Sequence, residues 1–409
     1  MELGDAGTAT GLSRTTLLLF ALTSGLAVAV VYYAQPLLSD IARAFDITHA
    51  LSGSVVAVTQ LGYVFGLLFL VPLGDLMDRR KLILWHLALS AVALMVVGFA
   101  NSWLLLLAAL WILGLLAVVI QMLVALAAVM SAPGQQGRAV GSVTSGVVVG
   151  IIAARSLAGP LAELSNWRMV YVGSAVLMIL AAFALAYILP RQRAIPASVS
   201  YTEVLQSTAI LLLQDRLLRV RAGIALLLFA GYGVLWSALA LALAAAPLSL
   251  SASAIGWFGL AGLAGIVGAS CAGTFADRGW GQWTTGIALT LMLAAWWLVS
   301  QTGTSLWLGF AGVAIFDLGG QAVHVTSQSL LFKARPDARN RLVAVYMLFY
   351  STGMGFGALT STAVFAHSGW RGVCLLGAGI SATALAFWTI TRAPPDAQRA
   401  RARSSLRSR

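Results

Sequence analysis

The chain has 409 residues, of which 60% are hydrophobic and 9% charged, and its formal net charge is +12. Soluble domains carry roughly 25% charged residues, so this composition excludes an ordinary soluble protein and points to one embedded in a membrane. Only two cysteines occur, Cys271 and Cys374, both inside apolar runs, which leaves no disulfide framework and no zinc-ligand spacing.

In chain order, twelve apolar runs cover 15–38, 50–73, 82–101, 103–129, 139–161, 168–189, 222–246, 253–275, 283–301, 304–331, 342–366 and 370–391. A helix rising about 1.5 Å per residue needs about 20 residues to cross the hydrocarbon, and these runs have that length. They are too long and too little alternating for barrel strands, which are the only other means of crossing lipid with every backbone group paired. The expected fold class is therefore an all-α polytopic membrane protein with twelve transmembrane helices. The first run follows Glu2 and Asp5 rather than a basic leader, and it is too long for a signal-peptide core, so it is expected to stay uncleaved.

The positive charge is laid out by side. With a cytoplasmic N-terminus, 21 of the 25 Lys and Arg fall in cytoplasmic segments, 3 fall outside (Arg43, Arg168, Arg371), and Arg155 alone lies within a run. The excess orients the chain with both termini in the cytoplasm. The expected organisation is a cytoplasmic tail (1–13), a six-helix bundle (14–189), a cytoplasmic linker (190–221), a second six-helix bundle (222–391) and a basic tail (392–409). The tail "RARSSLRSR" suits anionic lipid headgroups, and no nucleic-acid partner is expected.

The two halves echo each other. Asp78-Arg79 recurs as Asp277-Arg278 at an offset of 199, while Pro133, Arg138 and Trp167-Arg168 recur as Pro336, Arg341 and Trp370-Arg371 at an offset of 203. Two parallel six-helix repeats of this kind place a substrate site between the halves near the midplane.

With "GDLMDRRK" at 74–81, the chain resembles the major facilitator superfamily over about residues 14–392. The family's loop motif, Gly-x-Leu-x-Asp-Arg-x-Gly-Arg-Arg, is matched by Gly74, Leu76, Asp78 and Arg79, with Lys81 at the second glycine. "VYYAQPLLSDIARAF" and "DLGGQA" are similar to a group of bacterial drug or metabolite exporters. The family's antiporter motif is met only at Gly159-Pro160, where Arg155, Glu163 and Leu164 replace its other glycines. The resemblance implies a monomer in a bacterial inner membrane, with Gly74, Asp78, Arg79, Asp277 and Arg278 as a cytoplasmic gating motif. It also implies that spans 1, 2, 4, 5, 7, 8, 10 and 11 line the cavity.

The strongest single signal is in span 10. Asp317, Gln321, His324 and Gln328 fall at roughly 0°, 40°, −20° and 20° around a helix and so share one face. A deep charge is costly unless paired or hydrated, and an intramembrane acid is a functional candidate by default. Asp317 is therefore expected to couple protons, with His324 as a further carrier and Gln321 and Gln328 along the path; a packing role for a protonated aspartate is the alternative. Arg155 must find water, a carboxylate or an anion, and Asp317 is the nearest candidate. Tyr32, Tyr33, Gln35, Gln60, Tyr63, Gln121 and Trp236 are candidate substrate contacts, although Tyr and Trp also gather at membrane interfaces. No P-loop, zinc-protease or nucleophile-elbow motif occurs, so neither an enzyme nor a cofactor or metal site is expected. The sum is a secondary transporter exporting small organic compounds against protons. Uptake of an organic anion with protons, or a transport-inactive sensor or scaffold, are the alternatives.

Overall fold

The computed structural model describes residues 13–132, 135–189, 201–335 and 339–392. The expected N-terminal tail up to residue 12, Pro133, the linker stretch 190–200, Pro336 and the basic tail from 393 lie outside the described residues. Among the described residues, eleven helices are long and apolar enough to cross a membrane. They are α1 (Arg14–Tyr32), α2 (His49–Leu70), α3 (Arg79–Phe99), α4 (Trp103–Met130), α5 (Gln136–Leu164) and α6 (Trp167–Ile188), followed by α7 (Arg216–Ala244), α8 (Ala252–Asp277), α9 (Gly281–Gly303), α10 (Leu306–Ala334) and a last segment, Arg341–Thr391. That segment has 51 residues, about 76 Å if straight and more than twice the hydrocarbon thickness. It is split at Gly369, whose φ of 60° and ψ of −162° lie outside the range of side-chain-bearing residues. The pieces, α11 (341–368) and α12 (370–391), bring the spans to twelve.

Polar residues start the helices by capping their free N–H groups. Ser13 accepts from Thr16 N, Asp78 from Arg80 N, Ser102 from Leu105 N, Asn166 from Arg168 N, Asp215 from Leu218 N and Ser251 from Ala254 N. The Asp215 cap lets α7 begin at Arg216, six residues before its apolar run. Arg221 is consequently inside the helix, 1% exposed, and donates to Thr285 Oγ1 at 3.1 Å, so Arg155 is not the only basic side chain within a span. The outward surface is apolar, with Leu104, Phe183, Trp297 and Ile390 exposed, as a lipid-facing surface should be.

Inside the bundle, small residues replace the hydrophobic effect as the means of bringing helices together. A Cβ on Gly150 would meet Gly25 O of α1 at 2.3 Å, and one on Gly357 of α11 would meet Ala230 O of α7 at 2.1 Å. Likewise a Cβ on Gly62 of α2 would stand 2.0 Å from Trp111 O of α4, and one on Gly268 of α8 2.1 Å from Leu318 O of α10. The α1/α5 and α2/α4 contacts thus recur as α7/α11 and α8/α10, which is the sequence repeat expressed as packing. The two six-helix bundles meet along α2/α11 and α5/α8. A short helix, Ala34–Ala44, extends α1 toward the outer end of α7.

Candidate functional site

A cavity of about 340 Å³ lies between the halves. Its deep end is formed by Tyr32, Arg155, Phe229, Tyr232, Asp317 and Tyr350, and it runs along α5 and α8 to Gly141 and Ser270, toward the side on which α1 starts and α12 ends. That side is called the terminal side below, and the opposite one the outer side.

Asp317 is 3% exposed, and neither carboxylate oxygen has a hydrogen-bond partner among the described residues. Its backbone carbonyl accepts from the Tyr232 hydroxyl at 3.3 Å. Arg155 is 5% exposed and donates from Nε to Gln35 Oε1 at 2.9 Å. Its guanidinium lies 3.8 Å from the Trp236 ring centroid and 5.0 Å from that of Tyr32, so aromatic faces take part of the charge that the bilayer cannot. No ion pair joins Arg155 to Asp317 among the described residues. Of the partners that the sequence leaves open for Arg155, the direct pair with Asp317 is not formed here: Gln35, Trp236 and Tyr32 hold the guanidinium, and the carboxylate faces the cavity. Depth is not the obstacle. Asp317 is 11 residues from Leu306 and Arg155 is 9 from Leu164, both outer helix ends, a difference of about 3 Å along the normal.

Helix α8 makes room for both groups by carrying glycines where it passes them. A Cβ on Gly259 would stand 2.7 Å from Arg155 Cβ, and one on Gly262, a turn later, 3.5 Å from Asp317 Oδ2. Pro160 of α5 cannot donate to Ser156 O, and that freed carbonyl lies against Gly256.

The expected residues divide sharply. Tyr32, Arg155, Asp317 and Gln321 line the cavity, while Gln35 and Trp236 sit behind them as the setting of Arg155. His324 and Gln328 share the face of Asp317 but not its cavity. Gln328 Nε2 donates to His324 Nε2 at 3.2 Å, which leaves the ring proton on Nδ1 to meet Tyr346 Oη at 3.1 Å, and the ring is packed edge-on against Phe229. Tyr33 turns away from the cavity, accepts from Ser174 Oγ at 2.9 Å and meets Tyr171 edge-on. Tyr63 accepts from Gln121 Nε2 at 3.4 Å within the first half, and Gln60 is buried beside Gly355 of α11. Phe229, Tyr232 and Tyr350 are cavity residues that the sequence reading missed; Tyr232 stands 200 positions after Tyr32, one residue from the 199 offset of the Asp-Arg landmark, which was a signal for it.

At the terminal side, Arg79 Nε donates to Gly74 O at 3.0 Å and Asp78 caps α3, accepting from Arg80 N at 2.9 Å. In the other half Asp277 pairs with Lys333 at 3.1 Å, and Arg278 follows it at the C-cap of α8. These bonds of Gly74, Asp78 and Asp277 stay within their own bundle. The outer side differs: the Glu163 carboxylate at the end of α5 accepts from Ser253 N at 2.8 Å and from Ser253 Oγ in α8, and Tyr32 is hydrogen-bonded to Tyr350 across the halves.

Twelve spans in two matched bundles around one central cavity define a membrane transport protein and not an enzyme. The model of the Major Facilitator Superfamily matches residues 17–222 and 221–408. The chain is 42% identical over 377 residues to the uncharacterized transporter YgaY of Escherichia coli O157:H7, covering 92% of this chain and 95% of that one. It is 31% identical to the "Probable transporter SCO4007" of Streptomyces coelicolor, over 96% of this chain and 90% of the relative. Among solved structures, a bacterial homolog of the human lysosomal transporter Spinster, inward-facing and unoccupied, aligns with a TM-score of 0.73 at 17% identity, covering 95% of this chain and 98% of that one. The nucleoside transporter NupG aligns with the same TM-score at 12% identity, over 92% of this chain and 100% of that one. The chain belongs to the major facilitator superfamily.

Proposed function

We propose that this protein exports small organic compounds across the bacterial inner membrane in exchange for protons, as a monomer with both termini in the cytoplasm. The observation that carries the reading is Asp317, a buried carboxyl group on the wall of the central cavity with both oxygens unpartnered. A carboxyl so placed is available to a proton when the cavity is empty and to a substrate group when it is filled, which is the competition an antiporter needs. The excess of Lys and Arg on the terminal side supports the orientation, and the cavity's extent toward that side then makes this the inward-facing state. The bundles 14–189 and 216–391, joined by the linker 190–215 since α7 begins at Arg216, are the bodies that rock, with Gly74, Asp78, Arg79, Asp277 and Arg278 forming cross-bundle contacts in the opposite state.

The test is accumulation of a panel of fluorescent organic compounds in efflux-deficient bacteria, with the parent or Asp317→Asn and with or without a protonophore. The expected result is lower accumulation with the parent, abolished by either the substitution or the protonophore. Export undiminished in a folded Asp317→Asn protein defeats the coupling role. A second reading, uptake of an organic anion with protons, draws on Arg155, whose terminal nitrogens have no protein partner among the described residues; higher accumulation with the parent favours it.

A further inference from the structure

We infer that the occupant of the central cavity is a small zwitterion, its carboxylate on Arg155, its ammonium on Asp317 and an apolar body against the aromatic end of the cavity. This rests on the reading of that cavity as the transport site, and it adds the substrate's chemical class. Three observations converge on it.

Arg155 and Asp317 are the only charged side chains on the cavity wall among the described residues, one of each sign. They attract each other across the cavity without touching: among the described residues no ion pair joins them, and neither Asp317 oxygen has a hydrogen bond of normal geometry. Arg155 spends Nε on Gln35 and one face on Trp236, which leaves its fork of terminal nitrogens, the pair that binds a carboxylate in bidentate fashion. An anion would satisfy Arg155 only while Asp317 is protonated, and a cation would leave Arg155 without a counter-charge in every state. A neutral compound would leave both. Only an occupant with one charge of each sign pairs every buried charge, and unpaired buried charges are what a site rejects most strongly.

Spacing and size narrow the class further. Both groups open on the same deep end of the cavity, where α8 presents only backbone at Gly262 and Gly265. An occupant that bears its two charges on one small head can reach both from there. The volume of about 340 Å³ is at the small end for ligand sites. The remaining wall at the deep end is aromatic, from Tyr32, Phe229, Tyr232 and Tyr350, and suits a ring or branched apolar body.

The experiment uses the full chain, purified in lipid nanodiscs, with four probes that share a phenyl body: L-phenylalanine, phenethylamine, 3-phenylpropanoate and 2-phenylethanol. Binding is read by calorimetry and by the rise in thermal stability that a ligand confers. The zwitterion should bind at least about tenfold more tightly than the other three, as expected when each mismatch leaves a charge unpaired. Asp317→Asn should shift the preference to 3-phenylpropanoate and Arg155→Gln to phenethylamine. Should Arg155→Gln fail to fold, Arg155→Lys keeps the charge but loses the fork, and should weaken L-phenylalanine while leaving phenethylamine unchanged. Equal affinities, binding by none of the four, or a preference that ignores the substitutions overturns the inference. Failure of the transport reading is distinguishable: the preference and its reversals can hold in nanodiscs while export in cells shows no need for a proton gradient, and the converse can hold as well.

Discussion

The outer and terminal ends of the interface between the two bundles are built differently. At the outer end Gly159 lets α5 meet Ala252 O of α8, Glu163 is bonded to Ser253, and Thr362 Oγ1 of α11 reaches Ala50 O of α2 at 3.2 Å. Toward the terminal end α5 and α8 are separated by the cavity, and among the described residues Asp78 and Asp277 bond within their own halves. The closed end is made of backbone contacts and short polar links, which can form and release without desolvating a large surface. Arg155 stands at the boundary, bonded to its own half through Gln35 and stacked on the other through Trp236, so the group facing the cavity also helps to close its outer roof.

Three changes break this contrast, in falling order of effect. Gly159→Val puts side-chain atoms where a Cβ already stands 2.0 Å from Ala252 O, and backbone cannot yield as a flexible side chain can. The outer end should then fail to close, and transport should fall by about tenfold or more, because packed interfaces are bistable rather than compressible. Uptake of labelled compound into everted vesicles measures it; transport at the parent rate means that α5 and α8 need not touch. Trp236→Ala removes the ring face under Arg155, worth about 1–2 kcal/mol when desolvated, or a roughly five- to thirtyfold shift toward the state open at the outer side. Alkylation of a cysteine placed at Ser145 reports that shift as lost labelling from the terminal side. Glu163→Gln keeps the shape but removes the charge from the bonds to Ser253, and since they are exposed the same reporter should change only about two- to fivefold. A larger effect from Glu163→Gln than from Trp236→Ala would relocate the principal outer contact from the centre to the rim.

The spans were legible because the bilayer forces every one of them to be a long apolar helix; the start of α7 was not, since a cap at Asp215 draws Arg216, Arg219 and Arg221 from the expected linker into the helix, where Arg221 is buried. The face shared by Asp317, Gln321, His324 and Gln328 was equally legible, since periodicity fixes azimuth. What it does not fix is how far along that face a cavity extends. Phe229 and Tyr350, from α7 and α11, cover the face between Gln321 and His324, so half the stripe lines the cavity and half is packed. The Gln35 bond to Arg155 spans 120 positions and carries no local signal. Nor does the repeat supply one: an offset of 203 carries Arg155 to Ala358 and Asp317 back to Gly114, so the charged groups are where the two halves have diverged.

The bare strip of α8 has a consequence for selectivity. Because Gly259, Gly262 and Gly265 present only backbone, the width of the passage is set there by atoms that are missing; a methyl at Gly262 alone would come within 3.2 Å of Ile152 and 3.5 Å of Asp317. A single added carbon at Gly262 would therefore narrow the passage beside Asp317 without touching either charge, so girth and charge are set by different residues of the wall.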